Sequence, residues 1–478
     1  MKIFYALSLC ILVYTFSFAQ NRNFDKDYLS NEFHKERREA VRKMLPENSV
    51  AVFFTNPIRN RSNDVDYVYH QNPDFYYLTG HQEPNAVLVI FSEKQANGED
   101  EIIFVEKRDP RHEQWNGPML GVEGAKNKLG FNYATTGAQF MEGAVDFKKY
   151  DKVLFFNFED DYRNHRDKPA DLYKLIESFK TQLITENLPT DGVKFHSGID
   201  ASSLTGIMDK LRGVKQKEEL RLLKKAIEIS AIGQIEVMKA MHPGMTEREV
   251  QGIHEFVYKK YGSEYEGYPS IVGAGNNGCV LHYIENSKTK IEGELILMDL
   301  GAEYHGYTAD VTRTIPVNGK FTKEQKAIYD IVYDAQTAGI AEAKAGNSFW
   351  APNMAARKVI NEGLAKLGII SSPSANHNYL PHGTSHHLGL DVHDRGGYGA
   401  LEKNMVITVE PGIYIPEGSP CDEKWWGIAV RIEDDILITD GEPINLSEMA
   451  PRKSEDIEKL MSEKSPLDDF KLPELPTK

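Results

Sequence analysis

The chain has 478 residues, 41% hydrophobic and 10% aromatic, which is too much apolar material for a disordered or fibrous protein and too much length for one ordinary core, so two domains are expected. Its formal charge of −15 disfavours nucleic acid and anionic membranes as partners. No internal repeat, Gly-rich phosphate loop or basic patch with interleaved aromatics is present.

Lys2, an apolar stretch from Ile3 to Phe16 and the small-residue ending Ser17-Phe-Ala19 predict a secretory signal peptide over residues 1–19, cleaved before Gln20. The expectation is therefore an exported protein, periplasmic or secreted, without membrane attachment after cleavage. An uncleaved anchor is the alternative, but the apolar stretch is shorter than the ~20 residues a span needs. Cleavage removes only Lys2 among the charged groups and takes the charge from −15 to −16. Cys10 follows Leu9 rather than a small residue, which argues against lipoprotein processing. Cys279 and Cys421 are no disulfide framework, and Cys279 reads as a small buried hydrophobe.

Residues 25–211 alternate strand-like runs, such as Val50–Phe54 and Val87–Ile90, with helical stretches, predicting a separate amino-terminal α/β domain. Trp115, in Glu113-Gln-Trp-Asn-Gly-Pro, taken alone reads as core. The domain boundary is expected near Arg212, where turn chemistry passes into an amphipathic helix that runs to about Met241 and stops at His242-Pro-Gly244. Thr246 and Glu249 then form a capping box for the next helix. A second domain over residues 212–453 follows, and residues 454–478 read as a short helix and a disordered tail.

Within that second domain, Leu295–Met298 reads as a buried strand, Tyr307–Ile315 as its return and Glu303–Gly306 as the turn. Pairing Ala302 with Tyr307 and counting outward sets Asp299 opposite Asp310. Opposed side chains have Cβ atoms about 5 Å apart, and two bare carboxylates there repel. Two divalent ions roughly 3.5–4 Å apart would fit the gap; the alternative is a pair of solvated aspartates on a surface hairpin. Downstream, Pro381-His-Gly-Thr-Ser-His386-His-Leu-Gly-Leu-Asp-Val-His393-Asp394 crowds histidines into a stretch without helical or strand periodicity. Val409-Glu410-Pro and Val430-Arg431-Ile-Glu433 each end a β-type run with an acid, and Arg431 alternates with Glu433 so that both share a face. Hard oxygen donors with one imidazole suit Mn²⁺ or a similar ion, and the lack of thiolates argues against a structural zinc cage.

These residues, with Tyr69-His-Gln-Asn-Pro-Asp-Phe-Tyr-Tyr-Leu-Thr-Gly80 and Gly278-Cys-Val-Leu-His282-Tyr283, resemble the aminopeptidase P (Xaa-Pro aminopeptidase) family of pita-bread metallopeptidases over nearly the whole chain. The resemblance implies an α/β (α+β) protein with an amino-terminal α/β domain before a pita-bread catalytic domain. It implies two divalent metal ions, Mn²⁺ foremost with Zn²⁺ or Co²⁺ possible, held by Asp299, Asp310, His386, Glu410 and Glu433, with Asp310 and Glu433 bridging. Glu410 would also be general base, His393 and His282 would hold the substrate and its oxyanion, and His382 would line the pocket and shuttle a proton. His387 is left as a pocket-wall or surface residue. Arg431, Tyr268, Tyr398 and Tyr414 match substrate-pocket positions, and Trp115 matches an aromatic that such domains lend to a neighbouring active site.

The implied activity is hydrolysis of the amino-terminal Xaa-Pro bond of peptides by a hydroxide generated between the ions, in a homo-oligomer, dimer or tetramer. A prolidase restricted to Xaa-Pro dipeptides is the alternative within the fold. A metal-free binding module, or a metal-independent hydrolase of the creatinase type, is the alternative outside this chemistry.

Overall fold

Runs of β-branched and aromatic residues between positions 49 and 200 assemble the six-stranded mixed sheet of the amino-terminal region. A computed structural model describes residues 26–95, 98–165, 168–188, 192–468 and 472; the expected signal peptide and the end of the expected tail lie outside them. The strands are β1 (Ser49–Phe54), β2 (Val87–Phe91), β3 (Glu101–Val105), β4 (Ala134–Thr136), β5 (Lys152–Leu154) and β6 (Ile199–Asp200), in the spatial order β6-β5-β1-β2-β3-β4. In β1, Ala51 and Phe53 enter one core while Val50 and Val52 enter a second, rich in phenylalanine, that includes Phe140, Phe147 and Phe179. A strand covered on both faces needs an unbroken apolar run, which is what Val50–Phe54 supplies. Helices α1 (Asn31–Met44) and α2 (Pro73–Thr79) flank this sheet.

An elbow leads into the second half: α3 (Ser203–Gly213) ends, and α4 (Lys217–Ala240) starts from Gln216, whose backbone N–H donates to Glu219 Oε2 at 2.8 Å. Helix α5 (Glu247–Lys260) starts at the Thr246/Glu249 capping box, Glu249 N–H donating to Thr246 Oγ1 at 3.0 Å and Thr246 N–H to Glu249 Oε2 at 2.6 Å. Helices α4 and α5 pack together, as do α6 (Lys323–Glu342) and α7 (Ala351–Lys366). The two pairs cover strands β7 (Ile271–Ala274), β8 (Leu295–Leu300), β9 (Ala302–Tyr304), β10 (Tyr307–Thr308), β11 (Val311–Pro316), β12 (Val406–Val409), β13 (Gly412–Ile415), β14 (Ile428–Arg431) and β15 (Asp434–Leu437). The chain is thus a mixed α/β protein in two halves, as expected: an amino-terminal sheet domain and a second half of paired helices over strands.

Each helix pair reaches the strands through one buried glutamine. Gln234 of α4 donates to Met298 O and Val311 O at 3.1 and 2.7 Å; Gln336 of α6 donates to Val409 O and Asp434 Oδ2, both at 3.0 Å. Val311 O and Val409 O lie at strand ends, where a buried carbonyl must find a donor, and these side chains supply it. Arg313, fully buried, donates from all three guanidinium nitrogens, four of its acceptors being the backbone carbonyls of Thr312, Glu433, Ala450 and Pro451.

The central hairpin differs in register from the sequence expectation. It turns at His305-Gly306, whose φ values of 50° and 84° are those of a two-residue hairpin turn. Tyr304 therefore pairs with Tyr307 and Asp299 with Thr312, so Asp310 is the diagonal rather than the direct neighbour of Asp299. The slip moves the partner of Asp299 by two residues, which preserves the face, and both carboxylates still reach one hydroxyl, that of Tyr268. Among the described residues no helix is long and apolar enough to cross a membrane.

His254 of α5 is fully buried, its ring nitrogens find no partner among the described residues, and burial lowers its pKa to about 3. Unfolding restores a group that takes up a proton near pH 6.5, so the unfolded state gains protons first as the pH falls. Stability contributed by this site is complete above about pH 6.5 and drains away below it. His254→Leu is expected to flatten the decline of the urea midpoint between pH 7.5 and 4.5, and parallel wild-type and variant curves would reject this.

Candidate metal centre

Five backbone segments deliver the acids and the imidazole to one cavity of about 510 Å³. Asp299 lies near the end of β8, Asp310 between β10 and β11, Glu410 directly after β12, and Glu433 in the link from β14 to β15. Gly301 sits beside Ala309 so closely that any side chain would strike the Ala309 carbonyl, and this close approach accompanies the break in the hairpin that sends Asp310 inward. The histidine segment is held as an added edge of β12: Thr408 N–H donates to His386 O at 3.0 Å, and Glu410 N–H to Thr384 O at 2.9 Å.

The His386 ring is oriented by its own backbone. Nδ1 lies 3.0 Å from His387 O, which can only accept, so Nδ1 carries the proton and Nε2 faces Asp310 Oδ2 at 3.4 Å and Glu410 Oε1 at 3.6 Å. Ligand-type atoms of Asp310, His386 and Glu433 lie within 4.8 Å of one another. Tyr268 Oη is 2.6 Å from both Asp299 Oδ1 and Asp310 Oδ1, yet it has one proton and can donate to only one of them. Arg431 Nη2 donates to Asp299 Oδ2, Arg431 Nη1 to Tyr414 Oη at 2.9 Å, and Thr312 Oγ1 to Glu433 Oε2 at 2.6 Å.

The charge balance is unfavourable as it stands. Four carboxylates share the cavity with one guanidinium, and of its four histidines His386 stands between Asp310 and Glu410. Burial, and then neighbouring carboxylates, push Glu433 well above the usual range. Burial raises Glu410 to about 7 and raises Asp299 despite Arg431. Burial also opposes protonation of His386, but the hydrogen bond to Asp310 and the charges of Glu410 and Asp310 lift it to about 9. For Asp310 burial raises the carboxyl, but His386, Tyr268 and Arg431 together hold it below its ordinary value. Hard oxygen donors in excess, plus one imidazole nitrogen, fit divalent cations, which would satisfy the carboxylates that one arginine cannot.

His282, His382, His393, Tyr268 and Arg431 line the same cavity, and Tyr414 stands behind it, joined to Arg431 and to His382 Nε2 at 2.8 Å. His393 meets His386 edge to face with ring centroids 4.5 Å apart. The cavity does not include Tyr398, which is half exposed and stacks on Trp350, or Trp115, which is 81% exposed on the helix Pro110–Asn116. His387 is neither pocket wall nor surface: it is fully buried beside Phe349, with Nε2 3.0 Å from Gly397 O. Its neighbour faces the cavity, and alternation along an edge strand turns it inward. Cys279 is partly buried in the cluster with Tyr283 and Tyr414, and burial raises its thiol to about 11. Sequence reasoning missed Thr312, the clamp on Glu433, and the apolar walls Ile271, Leu281, Ile284 and Val392. Thr312 lies directly across the ladder from Asp299, a signal available only once the register is known.

Comparison with known proteins gives concordant results. Residues 221–440 match the model of metallopeptidase family M24 and residues 34–155 that of the aminopeptidase P N-terminal domain. The chain is 36% identical over 443 residues to the Xaa-Pro aminopeptidase of Escherichia coli (strain K12), covering 90% of this chain and 97% of that protein. Its fold matches the structure of aminopeptidase P from E. coli with the inhibitor Pro-Leu, with a TM-score of 0.80 at 33% identity, covering 91% and 98% of the two chains. It also matches a zinc-substituted E. coli aminopeptidase P in complex with product, with a TM-score of 0.80 at 34% identity and the same coverage.

Asp310→Ala removes the carboxylate nearest His386 and is expected to strip bound metal and abolish hydrolysis while the chain stays folded. Metal analysis after dialysis, beside a circular dichroism melt, checks this; wild-type metal content with wild-type rate would sink the assignment.

Proposed function

The chain belongs to metallopeptidase family M24, in its aminopeptidase P branch, and from that premise we infer that it is an Xaa-Pro aminopeptidase, a metal-dependent hydrolase that removes the first residue of peptides with proline second. The observation that carries this reading is the convergence of Asp310, His386 and Glu433 within 4.8 Å, in a cavity shared with Asp299 and Glu410. These five residues would hold the metal, and two divalent ions there would lower the pKa of a shared water towards neutrality and polarise the scissile carbonyl. We propose Mn²⁺ as the ion, on the strength of the oxygen-rich donor set, with Zn²⁺ and Co²⁺ as substitutes.

The remaining chemistry is done by the chain. Glu410, a carboxylate on the wall of the cavity beside His382 and His386, is placed to accept a proton from the attacking water and return it. The Xaa-Pro nitrogen is a tertiary amide without N–H, so it leaves as a secondary amine only if protonated, and Glu410 supplies that proton. His382 lies beside this path, Nδ1 3.6 Å from Glu410 Oε2. Burial, with Arg431 nearby, lowers its pKa to about 4, so it works as a neutral imidazole. His393 and His282 hold the carbonyl and the oxyanion that forms from it. Apolar walls at Ile271, Leu281 and Ile284 offer the pyrrolidine ring a dry surface.

Two further readings complete the proposal. The protein is exported, because residues 1–19 have the charge, apolar centre and small-residue ending of a cleaved signal. It works as a homo-oligomer, a dimer or tetramer. Trp115 supports this, since an exposed tryptophan outside its own cavity is suited to a neighbouring subunit.

A panel of Xaa-Pro, Xaa-Pro-Xaa and Xaa-Ala-Xaa peptides, run on chelated enzyme restored with Mn²⁺, Co²⁺ or Zn²⁺, is expected to show cleavage of the second alone or best. Cleavage confined to the dipeptide would replace the reading with prolidase. His393→Ala is expected to keep metal and melting temperature while losing about 3–4 kcal/mol of transition-state stabilisation, mostly in kcat; a lower melting temperature with an unchanged rate per folded molecule would make it a structural histidine. Amino-terminal sequencing of the protein from its native host is expected to begin at Gln20, and finding Met1 would reject export by cleavage.

A further inference from the structure

Behind the histidine segment, outside the cavity, lies a buried network of charges that the peptidase chemistry does not use. Asp394 follows His393 directly, and its two oxygens are held by different cations: Arg212 donates to Oδ1, and Lys215 Nζ donates to Oδ2 at 2.9 Å. Arg212 also reaches into the amino-terminal domain, where its Nη1 donates to Asp74 Oδ1 of α2 at 2.7 Å. Asp74 receives a second cation from the histidine segment itself, Arg395 Nε at 3.0 Å. Lys215 is fixed in turn by the Arg212 carbonyl at 2.7 Å. Asp74, Arg212, Lys215 and Asp394 are all buried.

The segment has no slack around this grip. Asp394 N–H donates to His387 O at 3.0 Å, closing residues 387–394 into a loop with His386 and His393 on the cavity side. A side chain at Gly389 would strike the Asp394 carboxylate, and one at Gly396 would strike the His387 ring. The same elbow holds the hairpin: Tyr307 Oη donates to Glu219 Oε1 at 3.1 Å, three residues before Asp310.

Buried ion pairs add little net stability compared with well-packed apolar side chains, because desolvation offsets their attraction. What they do provide is direction, since a carboxylate gripped at each oxygen by a separate donor has one orientation. We propose that Asp394, Arg212 and Asp74 are positioning residues that hold His393 at the cavity wall and make the docking of the amino-terminal domain a condition of turnover. This inference rests on the peptidase reading above for its kinetic part only.

The test uses the full-length, metal-loaded protein. Asp394→Glu keeps the charge but displaces the carboxylate by one methylene, and Asp74→Asn removes the anchor in the amino-terminal domain. Both are expected to lower kcat, by about tenfold to a hundredfold for Asp394→Glu and less for Asp74→Asn, with KM and metal content near wild type. Combining Asp74→Asn with His393→Ala is expected to cost nothing beyond His393→Ala alone, since the anchor acts through that ring. The NMR resonance of ¹³C-labelled His393, assigned by its absence in His393→Ala, is expected to move in Asp74→Asn. A lower melting temperature with unchanged kcat per folded molecule, additive losses, or an unmoved resonance would each overturn the proposal. If Asp394→Glu fails to fold, Asp74→Asn decides. If the wild type cleaves no Xaa-Pro peptide, the peptidase reading falls alone, and the His393 resonance still decides this one.

Discussion

Four carboxylates, Asp299, Asp310, Glu410 and Glu433, are brought into one buried cavity with Arg431 and His386 as their nearest cationic partners. Like charges withdrawn from water raise one another's energy, and removing a partner from such a group costs far more than the group contributes. Much of the surrounding structure reads as a response to that constraint. Tyr268 places one hydroxyl between two aspartates, Thr312 donates to Glu433, and Arg431 links Asp299 to Tyr414. Divalent cations held by these carboxylates and His386 would complete the neutralisation, which would tie the metal chemistry of the family to the electrostatics of the fold.

Residues from 299 to 433 must meet at that point, so the strands carrying them cannot be a simple sheet. They break at Gly301 and again between β14 and β15, and each break turns an acid inward at the expense of ladder hydrogen bonds. Gln234 and Gln336 supply donors near those breaks, one from each helix pair. Arg313 does the same at the base of Glu433, whose carbonyl it binds at 2.6 Å. The helices are therefore more than an apolar cover.

The junction between the domains is built into this arrangement. Arg212 and Lys215, at the elbow, hold Asp394 beside the cavity, and Glu219 meets the hairpin through Tyr307. The amino-terminal domain thereby contacts, through Asp74, the segment that carries three of the cavity's histidines, without lending the cavity a side chain of its own.

The strands around Val50–Phe54 and Leu295–Met298, the Thr246 capping box and the elbow near Arg212 were legible because short-range signals specify them: apolar runs, caps and helix stops act within a few residues. The acids and histidines that meet in the cavity stood out partly for a similar reason, as carboxylates ending apolar runs and histidines lacking periodicity, and partly through the family resemblance, which supplied the ligand set. What could not be read was anything set by contact between distant segments. The hairpin register depended on His305-Gly306 accepting left-handed angles, which propensity does not announce for histidine. The family resemblance favoured His386 over His387 at the cavity, but the burial of His387 came from alternation beside β12, a strand distant in sequence. The family resemblance implied pocket roles for Tyr398 and Trp115, yet tertiary packing puts both outside the cavity of their own chain. Local chemistry determined which groups this protein would use; only the folded chain decided their distances, their partners and their protonation, because those depend on burial and on neighbours far away in sequence.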